Sequence, residues 1–151
     1  MPSYVARVDF GPGHALIAAL EAAWAGDDDA LAALVRGGLG EQPLAVMVAE
    51  YGASRVQSML LVVSGIADLD GAEQQEALAV LREGLVSHMT MVALSMMSGW
   101  ARSAGDDVGM TGDLTRSVLQ AILSYTTDGD DPELVRALFA HLRVHHHVLK
   151  L

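Results

Sequence analysis

The chain has 151 residues, a formal charge of −10 and no cysteine, with 52% of its residues hydrophobic. The length suits one domain able to bury its own core, and the lack of cysteine excludes disulfides, thiolate zinc sites, iron–sulfur ligation and cysteine nucleophiles from this chain alone. A net negative charge with no compensating run of Lys or Arg repels a phosphate backbone, so no direct nucleic-acid binding is expected.

The N-terminal stretch "MPSYVARVDFGPGH" has neither a basic nor an apolar signal-peptide region, which favours a cytoplasmic location. Eight arginines to one lysine, with no asparagine, fits GC-rich bacterial coding. Tyr4, Ala6, Val8 and Phe10 alternate with Val5, Arg7 and Asp9. That period of two predicts an extended arm over residues 1–13, packed on helices or paired with another chain.

From His14 the period becomes helical, with Leu16, Ile17, Leu20 and Trp24 on one stripe as far as Ala25. Asp27–Asp29 cap a short second helix carrying Leu31, Leu34 and Val35. Pro43 opens a helix with Leu44, Met47, Val48 and Tyr51. Gly52 interrupts it, and Ser54 with Gln57 forms a capping box that restarts a helix through Ala67, giving two short helices or one bent one.

Asp70 and Glu73 mark the start of the longest predicted helix, which runs to about Arg102. Leu78, Leu81, Leu85, Met89, Val92, Met96 and Trp100 recur at spacings of three and four, and Val80, Met91, Leu94 and Met97 widen the stripe. A helix so apolar is expected at the centre of the fold, surrounded by others. Polar residues 103–112 predict a turn, followed by an amphipathic helix over about 113–126 with Leu114, Val118, Leu119, Ile122 and Tyr125. Asp131 and Pro132 start the last helix. The expected class is therefore all-α: a compact single-domain bundle of six or seven helices over residues 14–151, around a long apolar central helix, with a short extended N-terminal arm. The uncharged run 84–101 has the length of a short membrane span, but Ser87, His88, Thr90, Ser95, Ser98 and two glycines make a poor lipid-facing surface, so no membrane span is expected.

Familiar chemical motifs fail. "GPGH" at 11–14 lacks the later glycine and the Lys-Ser/Thr pair of phosphate loops. "DLDG" from Asp68 has Ala72 and Ala79 where a calcium loop needs oxygen ligands, "VVSGIA" lacks the first glycine of a nucleophile elbow, and ExxH does not occur. No catalytic residue is assigned. Met89, Met91, Met96 and Met97 near His88 read as adaptable core filler, or as a surface suited to partner helices.

Four of the six histidines lie in "HLRVHHHVLKL". At about 100° per residue they do not share one face. His147 joins Arg136, Arg143 and Lys150 outside, His146 borders the two faces, and His141 and His145 point inward one turn apart. Two imidazoles at that spacing suit one divalent metal, with His88 and an acid such as Glu50 or Glu21 completing the set. The competing reading is a pair of hydrogen-bonded histidines bordering a core, and no cofactor is then required. Three functions follow. The first is a non-catalytic interaction or adaptor domain that self-associates or docks a protein partner through an apolar helix face. The second is a metal- or small-ligand-binding bundle built on His141 and His145. The third is a small acidic inhibitor or immunity-type protein.

Overall fold

The computed structural model describes residues 12–37, 42–124 and 131–145, the side chains of 12, 13 and 141–145 excepted. Seven α-helices fill it in the order α1 (Pro12–Ala25), α2 (Asp28–Arg36), α3 (Leu44–Val63), α4 (Gly71–Glu83), α5 (Leu85–Ala104), α6 (Val108–Leu123) and α7 (Pro132–His145), with a 3₁₀ turn at Ile66–Asp68. No strand occurs among the described residues, and the fold is all-α. The strand-like segment 4–10 lies outside the described residues, while Pro12 and Gly13, assigned to the arm, begin α1.

Local chemistry sets the boundaries. Asp27 caps α2 by accepting from the Ala30 amide at 3.0 Å, as its position predicts. Asp107 does the same for α6, accepting from Met110 at 2.8 Å, so α6 begins at Val108, inside the segment expected to be a turn. Gly52 does not interrupt α3, which runs unbroken for 20 residues. It is buried where α3 meets α6, and a β-carbon there would sit 2.7 Å from a Val118 methyl. The glycine exists for that close approach. Gly65, with φ of 75°, ends α3 in the left-handed conformation that L side chains avoid, its amide donating to Val62 at 3.0 Å.

The long central helix expected over 70–102 is two helices, bent by 70° at Gly84. Gly84 is extended, with ψ of 154°; its amide donates to the Leu81 carbonyl at 3.1 Å and its own carbonyl accepts from His88 at 3.2 Å, closing one helix and opening the next. Glycine is among the weakest helix formers, and the apolar spacing runs across the break without a phase change. Periodicity alone therefore conceals it.

The centre of the fold is α6, which packs against α1, α2, α3 and α5. Its Leu114, Val118, Leu119 and Ile122 join Leu16, Ile17 and Leu20 of α1, Ala45, Val48 and Ala49 of α3, Ala101 and Ala104 of α5, and Val135 and Phe139 of α7. Burying a side chain of the size of Leu114 contributes about 1.5–3 kcal/mol. Thr115 satisfies its buried hydroxyl by donating to the Thr111 carbonyl at 2.7 Å, whereas the Thr111 hydroxyl is buried with no partner among the described residues. Arg116 bridges Asp28 on α2 and Asp113 on α6, but all three groups are substantially exposed, so this tether adds little stability.

Candidate interaction surface

No fully buried member of the main core lies between Ala49 and Ala101; Tyr51, Met59, Met97 and Trp100 reach it only as partly buried neighbours. Within that span just Gly52, Val56, Ile66 and Leu94 are buried, and α4 buries no residue at all. The same span holds the surface apolar residues. Of the twelve large hydrophobic side chains exposed among the described residues, nine lie between Val62 and Met96. Leu85 is 73% exposed and Met96 70%, where the sequence pattern predicts a surrounded helix.

The orientation of α5 explains the difference. The helix turns Leu94, Ala101 and Ala104 toward the body, and Met97 and Trp100 lean the same way. Small residues at 101 and 104 let α5 lie close to its neighbours. The stripe expected to be core, Leu85, Met89, Val92 and Met96, consequently faces outward. Val86 and Met91 flank it and are also exposed, as are Val80 on α4 and Val62 and Val63 at the end of α3. Polar side chains in this region are satisfied from within: the Thr90 hydroxyl donates to the Val86 carbonyl at 2.8 Å, and Ser64 donates to Leu60 at 2.7 Å. Covering them leaves few hydrogen bonds to water unmade.

Beside this face, Ser64, Ile66, Ala77, Val80 and Leu81 line an open groove of about 510 Å³ with Glu73 and Glu76 among its walls. Gln74 holds one edge by donating to the Ile66 carbonyl at 3.3 Å. The hydroxyl of Ser64 is turned back onto the Leu60 carbonyl of its own helix.

The predicted histidine site is only partly described. The α7 backbone stays helical through His145, so His141 and His145 stand one turn apart, but their side chains lie outside the described residues, as do His146 and His147 entirely. His88 is exposed at the start of α5, its Nδ1–H donating to the Gly84 carbonyl at 2.9 Å. Glu50 is exposed on α3. Among the described residues no group of three His, Asp or Glu is placed to hold a metal ion.

Tyr51 lies at the edge of the core. Burial pushes its phenol above the ordinary tyrosine value, while the Arg55 charge and hydrogen bond pull it partly back. Arg55 Nε donates to the hydroxyl at 3.2 Å and its guanidinium lies 5.4 Å from the ring centroid. This pair fastens one turn of α3 rather than forming a reactive centre.

The fold and surface thus define an all-α domain with one well-packed end and one bare apolar end. No protein family, curated protein or solved structure matches the chain.

Proposed function

We propose that this protein is a non-catalytic interaction domain whose working surface is the apolar face of α5 together with the neighbouring parts of α4 and α3. The observation that carries the reading is the outward stripe Leu85, Met89, Val92 and Met96 on a helix whose opposite face already packs on the body. At roughly 60–120 Å² for each large aliphatic side chain, these nine residues together expose on the order of 500–1,100 Å² of apolar surface on α3, α4 and α5. That reaches or exceeds the largest patches found on ordinary monomers, about 300–600 Å², and such patches mark interaction sites.

The test is Val92→Glu in untagged full-length protein. A charge at the centre of an exposed face leaves helix content and thermal midpoint of the isolated chain unchanged, yet removes the added mass that light scattering finds with the wild type. A wild-type chain that is strictly monomeric and co-purifies with nothing contradicts the reading.

A further inference from the structure

Gly99 sits near the C-terminal end of α5, and no close contact among the described residues accounts for it. An added β-carbon would meet only the Arg102 guanidinium, at 4.0 Å. The two buried mid-helix glycines differ: Gly52 would strike Val118 at 2.7 Å and Gly112 would touch Leu31 at 3.0 Å, so each marks a contact between helices. Glycine in a helix interior is disfavoured against alanine. Gly99 therefore carries a penalty that no contact among the described residues offsets.

Its position supplies an external reason. Leu85, Met89, Val92, Met96, Gly99 and Ser103 follow one another at spacings of four and three. At about 100° per residue they fall within about 40° of one line along α5. This three-four spacing is the pattern of a seam along which two helices pack. Its N-terminal half is large and its C-terminal half small.

We propose that this seam packs antiparallel against the same seam of a second copy of the chain, with Leu85 beside the partner copy's Ser103, Met89 over its Gly99, and Val92 against its Met96. The assignment rests on the interface reading above and names its occupant. A two-fold axis makes the arrangement self-complementary, since each copy brings both the large half and the notch that receives it. Antiparallel packing also opposes the helix dipoles. The seam has no charged residue, so no oppositely charged partner is called for. A standard interface buries about 800 Å² per partner, of which about 450–520 Å² is apolar, a share that the four large seam residues supply together with the exposed Val80, Val86 and Met91 beside them. A lipid surface is disfavoured, because α4 and α5 carry only Arg82 and Arg102 as basic residues beside Glu73, Glu76 and Glu83.

The test is sedimentation equilibrium on the purified, untagged full chain, paired with cross-linking that exploits its lack of cysteine. The wild type gives a two-chain mass, and Gly99→Leu, which fills the notch, raises the dissociation constant at least about tenfold while far-ultraviolet dichroism stays unchanged. Residues 85 and 103 of one chain stand about 27 Å apart along the helix, so oxidation of the double variant Leu85→Cys with Ser103→Cys yields inter-chain dimers, whereas Leu85→Cys alone yields none. A monomer at every concentration, a dimer indifferent to Gly99→Leu, or efficient linkage through Leu85→Cys alone overturns the proposal. So does a monomer that sediments with vesicles of phosphatidylcholine and phosphatidylglycerol. Loss of the second copy does not by itself remove the wider reading, which falls if the monomer also co-purifies with nothing and Met89 and Met96 oxidise freely in extracts of the cells that make the protein.

Discussion

The two halves of α5 have opposite fates, and the more apolar half is the one left in solvent. Near its C-terminus the helix gives Ala101 and Ala104 to the core, with Trp100 leaning in; near its N-terminus it leaves Leu85, Val86, Met89 and Val92 in solvent. In the body, small residues let the helices approach closely around the buried Leu, Ile and Val side chains, Gly52 on Val118 being the tightest glycine contact. Hydrophobicity states how much a residue gains from being covered. Which chain covers it depends on backbone approach, and at this end of α5 nothing in the described chain does so.

This contrast can be broken in several ways. Leu114→Ala, at the fully buried centre of α6, lowers the unfolding free energy by about 2–5 kcal/mol in urea titration of dilute chain, whereas Leu85→Ala changes it by less than about 0.5 kcal/mol. A comparable loss at Leu85 in dissociated chain would mean the bare end is packed after all. The glycines give opposite signs in the same titration. Gly52→Ala overpacks the contact with Val118 and costs about 1–3 kcal/mol, while Gly99→Ala raises stability of the dissociated chain by up to about 1 kcal/mol.

A smaller effect sharpens the account of the packed end. Thr111→Val removes a buried hydroxyl that lacks a partner among the described residues, without changing side-chain shape, and stabilises by about 1 kcal/mol in thermal or urea unfolding. The smallest effect is confined to alkaline pH. The folded-state value of Tyr51 is raised, so its contribution is fully present below the unfolded tyrosine value near 10 and is lost as pH rises through the folded value. Tyr51→Phe should therefore flatten the stability profile above about pH 10 and leave it unchanged near neutrality, as read by unfolding across that range.

Much of the fold is legible in the sequence because its signals are local. Asp27 caps α2 where expected, Pro132 opens α7, and the Leu114–Ile122 stripe is buried as its spacing predicts. The errors arise where local signals are silent about neighbours. Gly52 and Gly84 look alike in sequence, yet one sits inside a continuous helix because Val118 needs its space, and the other divides α4 from α5. The apolar stripe from Leu85 to Met96 was readable as a buried surface, but its spacing does not say whether the covering helix belongs to the same chain. The one available hint was the polarity of the seam itself, large at Leu85 and Met89, small at Gly99 and Ser103. The pair His141 and His145 keeps its helical spacing, with side chains outside the described residues.

The claim that the bare end of α5 is covered in the working protein is tested most directly by peroxide footprinting of its methionines. Met89 and Met96 are 63% and 70% exposed in the single chain, while Met110 on α6, at 37%, serves as the internal reference. The account predicts that Met89 and Met96 are slow to oxidise in native extract and become faster than Met110 when Val92→Glu opens the face. Rapid oxidation of both in the native wild-type protein, unchanged by Val92→Glu, would contradict it.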